Sequence, residues 1–466
     1  MRSGDDNFDF EMVVIGGGSA GYAAARTTAA AGLKTAVIDG GPELGGLCIL
    51  RGCMPTKALL YAAEVKHLAD HGETWGLQIP KVGFDFGKVM ARKNAMIEDF
   101  ASYRREQLHD GRFQLFRSKA RFIDPHTLAL EDGSTVSARS ILISTGSTVA
   151  PLPLPALNSA QPWTSDDVLK LQRLPESVIV LGGGPVALEL AQFFLRFGVK
   201  TTLIQRSSHI LKPFDEEMAK PLEDALRAEG MQLFTDTQLV DGGIKGGRKF
   251  VTFEHKGKNQ TVFAEAILHG LGRRPNLEGL DLEKAGLETV TRRIQTNTEM
   301  QTKVPHIYAA GDCTGPHEIV HIAIQQGETA AYNIIHADKK KSMDYRVLVS
   351  VVFTDPQVAM VGLSEKEARA AGRNIVTADY PFNDHGKSMI MEAMHGSVKL
   401  IADAQTGELI GGACTGPNAG DLIHEVAVAV HQRMTAAEFA AVPHYHPTLA
   451  EIWTYPAEDI ADKIAG

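Results

Sequence analysis

The chain has 466 residues, enough for about two to four domains with substantial cores. Hydrophobic residues make up 44% and charged residues 22% of it, which is typical of an ordinary soluble globular protein. The formal net charge of −9 argues against nucleic acid or an anionic membrane as the main partner, because either would need a basic surface.

The cysteine content and the N-terminal residues indicate a compartment. Four cysteines are too few for a disulfide-stapled secreted scaffold. The first residues, MRSGDDNFDF, are acidic where a secretory signal has a basic region, and no apolar stretch reaches the length of a membrane span. We therefore predict a cytoplasmic protein, in which a close cysteine pair favours a redox role over a structural one.

The first predicted unit is a βαβ motif with a glycine-rich turn. The segment EMVVIGGGSAGYAAARTTAAAGLKTAVIDG predicts a strand, a turn, a helix ended by Gly32 and a second strand ended by Asp39. Gly16, Gly18 and Gly21 fit the pattern G-x-G-x-x-G, which gives a tight turn, a close approach for a pyrophosphate and close helix–strand packing. Asp39 would then accept hydrogen bonds from an adenosine ribose.

Two cysteines, Cys48 and Cys53, follow in GGLCILRGCMPTKALL, at what looks like the start of a helix. On an ideal helix the α-carbons of positions i and i+5 are ~8.6 Å apart, whereas a disulfide rarely spans more than about 7 Å. A bridge therefore needs a distorted backbone, which Gly52 and Pro55 permit or enforce, and such a bridge would be easily reduced. Spacing alone leaves two buried thiols as an equal alternative.

The same βαβ plan returns in SVIVLGGGPVALELAQFFLRFGVKTTLIQR. The residues at its turn are Gly182, Gly184 and Ala187. Gly16 to Asp39 spans 23 positions and Gly182 to Gln205 also spans 23, so the two units are in register. One glycine-rich turn is weak evidence, because such turns serve many strand-to-helix corners. Two copies, each between a strand and a helix, favour two dinucleotide sites over structural turns.

The two units differ at the end of the second strand. Asp39 suits the free 2′-hydroxyl of FAD or NAD, whereas the second unit has Gln205 and Arg206. No carboxylate there repels a 2′-phosphate, and a guanidinium is present to bind one. We therefore favour NADPH slightly over NADH. A solvated arginine at a strand end is the alternative interpretation of Arg206.

Together these residues give the chain a family resemblance. It resembles the pyridine nucleotide–disulfide oxidoreductases of the dihydrolipoamide dehydrogenase, glutathione reductase and mercuric reductase type, over nearly its whole length. Further matching pieces are ILISTGS, GGGPVALE, LHGLGRRPN, VPHIYAAGDCTG, VVFTDPQVAMVGLSE and HYHPTLAE. The resemblance implies an FAD-dependent enzyme of the EC 1.8.1 type that passes electrons between NAD(P)H and a dithiol or disulfide through a Cys48–Cys53 disulfide.

The resemblance also implies the architecture. We expect an α/β protein with two Rossmann-like dinucleotide-binding domains and a C-terminal α+β dimerisation domain. The FAD domain would comprise residues 1–155 and 278–345, the NAD(P) domain 156–277, and the interface domain 346–466. The insertion follows from the position of the second glycine turn between the FAD-type pieces STGS and AAGDCTG, and APLPLPAL marks a plausible linker.

Several residues take cofactor roles by resemblance. Lys57 lies beside flavin N5 in proteins of this pattern, Glu189 pairs with that lysine near the nicotinamide, and Asp312 accepts hydrogen bonds from the ribityl chain. Without the resemblance, Lys57 would be read as a solvated lysine and Glu189 as a helix-surface acid. Further expected cofactor-binding residues are Gly46, Gly146 and Gly272. The remaining cysteines, Cys313 and Cys414, are expected to be buried by packing.

The C-terminal VPHYHPTLAEIW supplies a base and its partner. His446 and Glu451 match the family's base and the acid that orients it, since a carboxylate bonded to an imidazole fixes its tautomer and raises its basicity. In the family this histidine reaches the disulfide of the other subunit, which implies a homodimer with two composite sites. His444 and His446 also form an H-x-H pattern, but no further ligand cluster accompanies it, so we predict no metal site.

The cysteine segment fits the family with local departures. By resemblance Cys53 is the sulfur nearer the flavin, and Cys48 is the thiol that exchanges with substrate. Leu47 replaces the usual threonine before the first cysteine, and Leu50 and Arg51 stand where an asparagine is usual. These changes keep both sulfurs and alter the polarity around them, so they bear on the redox potential and the substrate more than on the reaction type.

The substrate is chosen within the family. The chain ends PAEDIADKIAG, without the C-terminal cysteines of mercuric reductase, although LIQRSS looks more like that branch than like the NAD-using one. HPTLAE looks closest to dihydrolipoamide dehydrogenase, whereas glutathione reductase usually has serine after the threonine. We rank a lipoyl-type dithiol, small or protein-bound, first, a low-molecular-weight disulfide second and an unassigned disulfide third. A non-catalytic flavoprotein of a larger complex is disfavoured because every expected redox residue is present.

Overall fold

A computed structural model of the chain describes residues 8–288 and 292–466. Its strands, numbered in chain order, are β1 (Phe10–Ile15), β2 (Thr35–Ile38), β3 (Gln114–Phe116), β4 (Ala120–Asp124), β5 (Thr127–Leu130), β6 (Thr135–Ile143), β7 (Ser147–Val149), β8 (Ser177–Leu181), β9 (Lys200–Ile204), β10 (Gln232–Phe234), β11 (Thr237–Lys245), β12 (Arg248–His255), β13 (Lys258–Ala264), β14 (Ala266–His269), β15 (Arg273–Pro275), β16 (Ile307–Ala309), β17 (Val349–Val352), β18 (Gln357–Gly362), β19 (Ile375–Pro381), β20 (Ser397–Asp403) and β21 (Leu409–Gly416). Its α-helices are α1 (Ser19–Ala30), α2 (Gly46–Arg51), α3 (Cys53–Asp70), α4 (Phe86–His109), α5 (Ser165–Val168), α6 (Pro185–Arg196), α7 (Glu216–Ala228), α8 (Val320–Ile335), α9 (Glu365–Ala370), α10 (Gly386–Ile390), α11 (Ala419–Gln432), α12 (Ala436–Ala440) and α13 (Thr454–Ala465). Residues 1–7, part of the acidic N-terminal segment, lie outside the described residues.

The chain divides into two compact units, and each is described by itself. Unit 1 comprises Met1–Pro55, Ala91–Ala150 and Arg273–Asp344. Unit 2 comprises Thr56–Met90, Pro151–Gly272 and Tyr345–Gly466. In unit 2, Leu59, Ala63 and Met90 of the Thr56–Met90 segment share a hydrophobic core with the strands that follow Pro151. The predicted domain boundaries stay a prediction.

Unit 1 is built on a parallel sheet with the strand order β3-β2-β1-β6, and β16 pairs in parallel with β6. The apolar run Met12–Ile15 in β1 is buried throughout, as expected for a parallel strand covered on both faces. β4 and β5 extend the sheet antiparallel to the first half of β6. Because β16 lies more than 160 positions after β6 and joins the same sheet, this unit is built from separated chain segments.

A glycine contact brings two helices of unit 1 together behind the turn that follows β1. A side chain on Gly327 of α8 would place its Cβ only 2.2 Å from the backbone oxygen of Ala20 in α1. Only glycine permits this approach, so α8 packs directly on α1. α1 is thereby held against the sheet with its first turn at the carboxyl end of β1, where ligands of parallel sheets bind.

Unit 2 contains three sheets. The parallel sheet has the order β10-β9-β8-β14, and β11-β12-β13 form an antiparallel meander. The third sheet is antiparallel, with the order β17-β18-β21-β20-β19, and its core includes the fully buried Trp453 and Phe382. α11 packs on β18 and β21 of that sheet, and α13 packs on β19. The C-terminal part is therefore α+β, as predicted.

Both predicted βαβ units are confirmed. α1 ends at Ala30, two positions before Gly32, and α6 ends at Arg196, two positions before Gly198. The φ angles of these glycines are +83° and +84°, a left-handed conformation that closes a helix and favours glycine. The predicted α/β class is confirmed as well. No helix among the described residues is long and apolar enough to cross a membrane.

Candidate active site

A cradle without side chains lies at the first glycine turn, in unit 1. Gly16 has a φ of +100°, and a Cβ there would lie 2.5 Å from the Ser144 carbonyl oxygen. Gly46 has a φ of +77°, and its Cβ would lie 2.9 Å from the Cα of Gly18. The third glycine, Gly21, has no room either, because its Cβ would lie 1.9 Å from the Gly16 oxygen. Since no side chain caps the first turn of α1, its N–H groups remain to bind a pyrophosphate.

Asp39, directly after β2, closes one side of this cradle. Its Oδ2 accepts a hydrogen bond of 2.9 Å from the Gly17 N–H, and its Oδ1 accepts one of 2.8 Å from the Gly41 N–H. Arg117 donates to the Asp39 carbonyl at 2.9 Å. A carboxylate oxygen accepts about two hydrogen bonds. Asp39 therefore keeps acceptor capacity for the hydroxyls of a ribose.

Asp312 lies in unit 1 on the turn that follows β16. One of its oxygens, Oδ2, accepts a hydrogen bond of 2.6 Å from the Ser147 hydroxyl, and Arg273 Nε donates to that hydroxyl oxygen at 2.8 Å. Gly146, immediately before Ser147, has a φ of +69°. The arrangement orients Asp312 and leaves its Oδ1 to accept from a polyol hydroxyl. With the pyrophosphate cradle and Asp39, these residues fit FAD.

The second glycine turn, in unit 2, repeats the cradle with different chemistry. The φ of Gly182 is +112°, and its Cβ would lie 2.4 Å from the Gly270 oxygen, whereas a Cβ on Gly184 would meet nothing within 4 Å. Pro185 begins α6, and no side chain caps this helix. Ala187, the third turn residue, is fully buried, and a Cβ on Gly270 would lie 2.8 Å from its methyl carbon. The uncapped turn fits a second dinucleotide.

The end of β9 presents two side chains to this second cradle region. A Cβ on Gly183 would lie 3.0 Å from the side chain of Gln205, so the amide packs closely over the glycine turn. Arg206 follows and is exposed. Gly272, between β14 and β15, has a φ of +108°, which explains a glycine there. Gln205 and Arg206 are thus positioned where Asp39 stands in the first unit.

The backbone between the two cysteines is distorted, as predicted. Cys48 lies in α2, which ends at Arg51. Gly52 follows with a φ of −126° and a ψ of −112°, and Cys53 begins α3. A Cβ on Gly52 would lie 3.0 Å from the Leu47 oxygen and 3.3 Å from the Cys48 Cα. Only a residue without a side chain fits this approach without displacing Cys48 or Leu47. Both cysteines are half-buried.

The sequence did not indicate that Arg104 lies near Cys48. The guanidinium of Arg104, in α4, stacks on the Tyr22 ring with its central carbon 3.9 Å from the ring centroid. Burial lowers the pKa of Arg104, while the charges of Tyr22 and Cys48 act in the opposite direction. A cation beside a thiol favours the thiolate. Neither motif nor spacing marks Arg104, since it lies about fifty positions after the cysteines in an ordinary helical sequence.

Lys57 and Glu189 meet within unit 2. Lys57 Nζ lies 2.8 Å from Oε2 and 3.1 Å from Oε1 of Glu189, which is almost fully buried in α6. The Phe353 N–H donates to the same Oε1 at 3.0 Å, and the Phe353 ring centroid lies 4.7 Å from the ammonium. Because two donors satisfy the buried carboxylate, the ammonium is held in a fixed position. Phe353, after β17, has no sequence signal for this role.

His446 and Glu451 also meet within unit 2. The Nδ1 of His446 lies 2.9 Å from Oε2 of Glu451, the His446 side chain is 78% exposed, and the Glu451 side chain is 13% exposed. His444 instead contacts Glu425, with its Nε2 2.6 Å from Oε1. The two histidines of the H-x-H pattern therefore contact different carboxylates. Within residues 8–288 and 292–466 no group of histidine, cysteine and acidic residues is arranged to hold a metal ion.

The remaining cysteines are fully buried, as expected. Burial raises the pKa of the Cys313 thiol to about 12 and raises that of Cys414 as well. A thiol in this state is protonated at neutral pH and is a poor nucleophile. Reactive cysteine chemistry in this chain is therefore confined to the half-buried pair in α2 and α3.

Comparisons with known proteins agree with this geometry. Residues 10–327 match the pyridine nucleotide-disulphide oxidoreductase family, and residues 348–457 match its dimerisation domain. A dihydrolipoyl dehydrogenase of Thermus scotoductus is 37% identical over 447 residues, which are 95% of each chain. A mercuric reductase of Staphylococcus aureus is 32% identical and covers 95% of this chain and 81% of its own. The crystal structure of LpdA from Mycobacterium tuberculosis superposes with a TM-score of 0.86 at 28% identity, covering 96% of this chain and 99% of LpdA.

Proposed function

This chain belongs to the pyridine nucleotide-disulphide oxidoreductase family as an FAD-dependent NAD(P)H–disulfide oxidoreductase, and we propose that its substrate is a lipoyl-type dithiol. Relatives named dihydrolipoyl dehydrogenase at 37% and 32% identity support this substrate. The observation that carries the reaction type, thiol–disulfide exchange, is the contact of 2.9 Å between His446 and Glu451, because it equips the chain with an oriented base for thiol chemistry.

The proposed exchange uses Cys48 and Cys53 as a disulfide. A substrate thiolate attacks the Cys48 sulfur, the Cys48–Cys53 bond breaks, and Cys53 leaves as a thiolate. The second thiolate of the substrate then attacks the first substrate sulfur, which is bonded to Cys48 in the mixed disulfide. This closes the substrate disulfide and releases Cys48 as a thiolate. The substrate has lost two electrons and the cysteine pair has gained them. His446, from the other subunit of a homodimer, takes the proton of the attacking thiol.

The bound cofactors carry the electrons onward. When bound, FAD exchanges an electron pair with the cysteine pair and a hydride with the nicotinamide. We assign Gly16, Gly18, Asp39 and Asp312 to holding FAD, supported by the cradle and acceptor groups described above. Lys57 supplies a cation at the flavin, and its fixed contact with the buried Glu189 supports this role. The remaining assigned glycines are Gly21, Gly46 and Gly146 for FAD and Gly182, Gly184 and Gly272, with Ala187, for NAD(P).

We further propose a slight preference for NADPH, supported by the exposed Arg206 and the uncharged Gln205 at the end of β9. Arg206→Glu should lower kcat/KM for NADPH by about 10-fold or more, because a carboxylate repels the 2′-phosphate, and should spare NADH. Arg248→Glu, an equal charge change at another exposed position of unit 2, is the matched control. If the wild type prefers NADH and Arg206→Glu changes neither Michaelis constant, Arg206 does not contact the ribose.

The homodimer, the cytoplasmic location and a lipoyl protein as partner belong to this proposal. The match of residues 348–457 to the dimerisation domain supports the dimer. The 78% exposure of the His446 side chain in the single chain supports a composite site, since a base that serves its own subunit would be enclosed there. The location and the lipoyl-protein partner are supported only by the cysteine content and by the names of the relatives.

Steady-state assays of the purified holoenzyme test the substrate. NADH and NADPH are paired in turn with lipoamide, glutathione disulfide and other small disulfides, and the reverse reaction is run with dihydrolipoamide. We expect kcat/KM to be highest for the lipoyl compounds. If glutathione disulfide is turned over faster, the substrate is a low-molecular-weight disulfide and not a lipoyl-type dithiol. The absence of turnover with every disulfide would overturn the proposed function.

A further inference from the structure

A buried histidine lies behind the base and its carboxylate. His385 precedes α10, and its side chain has no solvent exposure. Its Nδ1 lies 2.8 Å from the hydroxyl of Ser388, and its Nε2 lies 3.4 Å from Oε1 of Glu451. The other oxygen of Glu451 contacts His446 at 2.9 Å. Glu451 therefore lies between two imidazoles, of which one is exposed and one is fully buried.

The surroundings of His385 determine its tautomer. Burial lowers the pKa of His385 more than Glu451 raises it, and His446 lowers it further, so the ring is neutral near pH 7. These two residues are the titratable groups acting on it. A neutral ring has one N–H, and a lone pair on Nε2 would repel the carboxylate of Glu451. The N–H is therefore on Nε2, and the Ser388 hydroxyl donates to Nδ1.

No other group among the described residues forms a hydrogen bond with His385 Nε2. At 3.4 Å from Oε1 it is slightly beyond ordinary hydrogen-bond length. Contacts of this kind commonly tighten when a site is complete. Since a buried N–H is costly to leave without an acceptor, Glu451 is the acceptor that this ring requires.

We propose that His385 is a positioning residue that fixes Glu451 and thereby orients His446. This inference rests on the proposed role of His446 as the base of disulfide exchange. With this bond made, Glu451 accepts one N–H on each oxygen and cannot rotate away from His446. Ser388 acts one step further back, by keeping the His385 proton on Nε2.

The direction of the effect follows from this arrangement. Without the His385 N–H, the Glu451 carboxylate is free to rotate, and His446 loses its orienting partner. Disulfide exchange should then slow, by less than the about 10²–10⁴-fold that loss of the base itself costs, while the nicotinamide still reduces the flavin.

The test measures the reactivity of His446 directly in the holoenzyme. Diethyl pyrocarbonate modifies unprotonated imidazole nitrogens, so the rate of His446 modification at a fixed pH, followed by peptide mass spectrometry, reports the contact of Nδ1 with Glu451 without any turnover. His385→Leu removes the N–H and should raise this rate, because Nδ1 is released from Glu451. His385→Gln places an amide N–H near the same point and should keep the rate close to wild type. Ser388→Ala should raise it by less, because the Nε2 tautomer is no longer enforced.

Controls separate positioning from packing. His424→Leu removes another histidine of unit 2, an exposed one whose Nδ1 contacts the Gly420 oxygen, and should leave the rate of His446 modification unchanged. Equal rates in wild type, His385→Leu and His385→Gln, or equal changes in both variants, would overturn the inference. If His385→Leu fails to bind flavin and fold, Ser388→Ala decides: a faster rate supports the inference and an unchanged rate overturns it. Because this readout needs no substrate, its failure is distinguishable from the failure of the disulfide assays.

Discussion

His446→Gln should lower disulfide turnover by about 10²–10⁴-fold, the usual size of general acid–base assistance, while NAD(P)H still reduces the bound flavin at near the wild-type rate. An unperturbed thiol has a pKa of about 8.5, so only a few per cent of it is thiolate near pH 7. The imidazole takes the thiol proton and later returns one to the leaving sulfur. Hydride exchange with the nicotinamide needs no proton from this site.

Stopped-flow measurement of the two half-reactions checks this result. His444→Gln is the matched control, because His444 lies two positions away and contacts a different carboxylate, Glu425. It should leave both half-reactions near wild type. Glu451→Gln should give a milder form of the His446 defect, since the ring loses its orienting charge but keeps its nitrogens. If His446→Gln loses flavin reduction and disulfide turnover equally, the role of His446 is structural and not that of a base.

Cys48→Ser and Cys53→Ser should each abolish disulfide turnover, because a serine hydroxyl forms no disulfide with the remaining sulfur. The two variants should differ in their spectra. Cys48→Ser retains the Cys53 thiolate, and a thiolate beside an oxidised flavin gives a long-wavelength absorption band. Cys53→Ser should lack that band. Absorption spectra of the resting variants therefore distinguish the sulfur nearer the flavin from the exchanging one.

The buried thiols supply the controls for this pair. Cys313→Ala and Cys414→Ala remove sulfurs whose pKa values burial raises, and they should retain turnover once folded. The same spectrum from Cys48→Ser and Cys53→Ser would contradict the division of roles. Turnover that survives in either variant would exclude the pair from the reaction.

The glycine turns were predictable because their requirements are local. Gly16 and Gly182 need positive φ angles and a backbone oxygen where a Cβ would be, and both conditions follow from a strand that turns directly into a helix. The equal spacing from each turn to Asp39 and Gln205 then located the strand ends. The break between the two cysteines was also local, since the ideal helix already places them too far apart.

Other parts of the site depend on contacts between distant segments. His385 precedes His446 by 61 positions, and nothing in NDHGKS indicates that its ring reaches Glu451. Arg104 likewise meets Tyr22, and Phe353 meets Glu189, only through tertiary packing. The same reason places residues 56–90 in unit 2, where Leu59 and Ala63 bury their side chains in a core that the sequence around them does not specify.

Anaerobic titration of the holoenzyme with a two-electron reductant tests the central claim most directly. If Cys48 and Cys53 form the redox disulfide, the wild type takes up two electron pairs for each bound flavin, and alkylation after the first pair labels both cysteines. Cys48→Ser and Cys53→Ser then take up a single pair. A wild type that takes up only one pair, with both cysteines equally labelled before and after reduction, would contradict a relay through this disulfide.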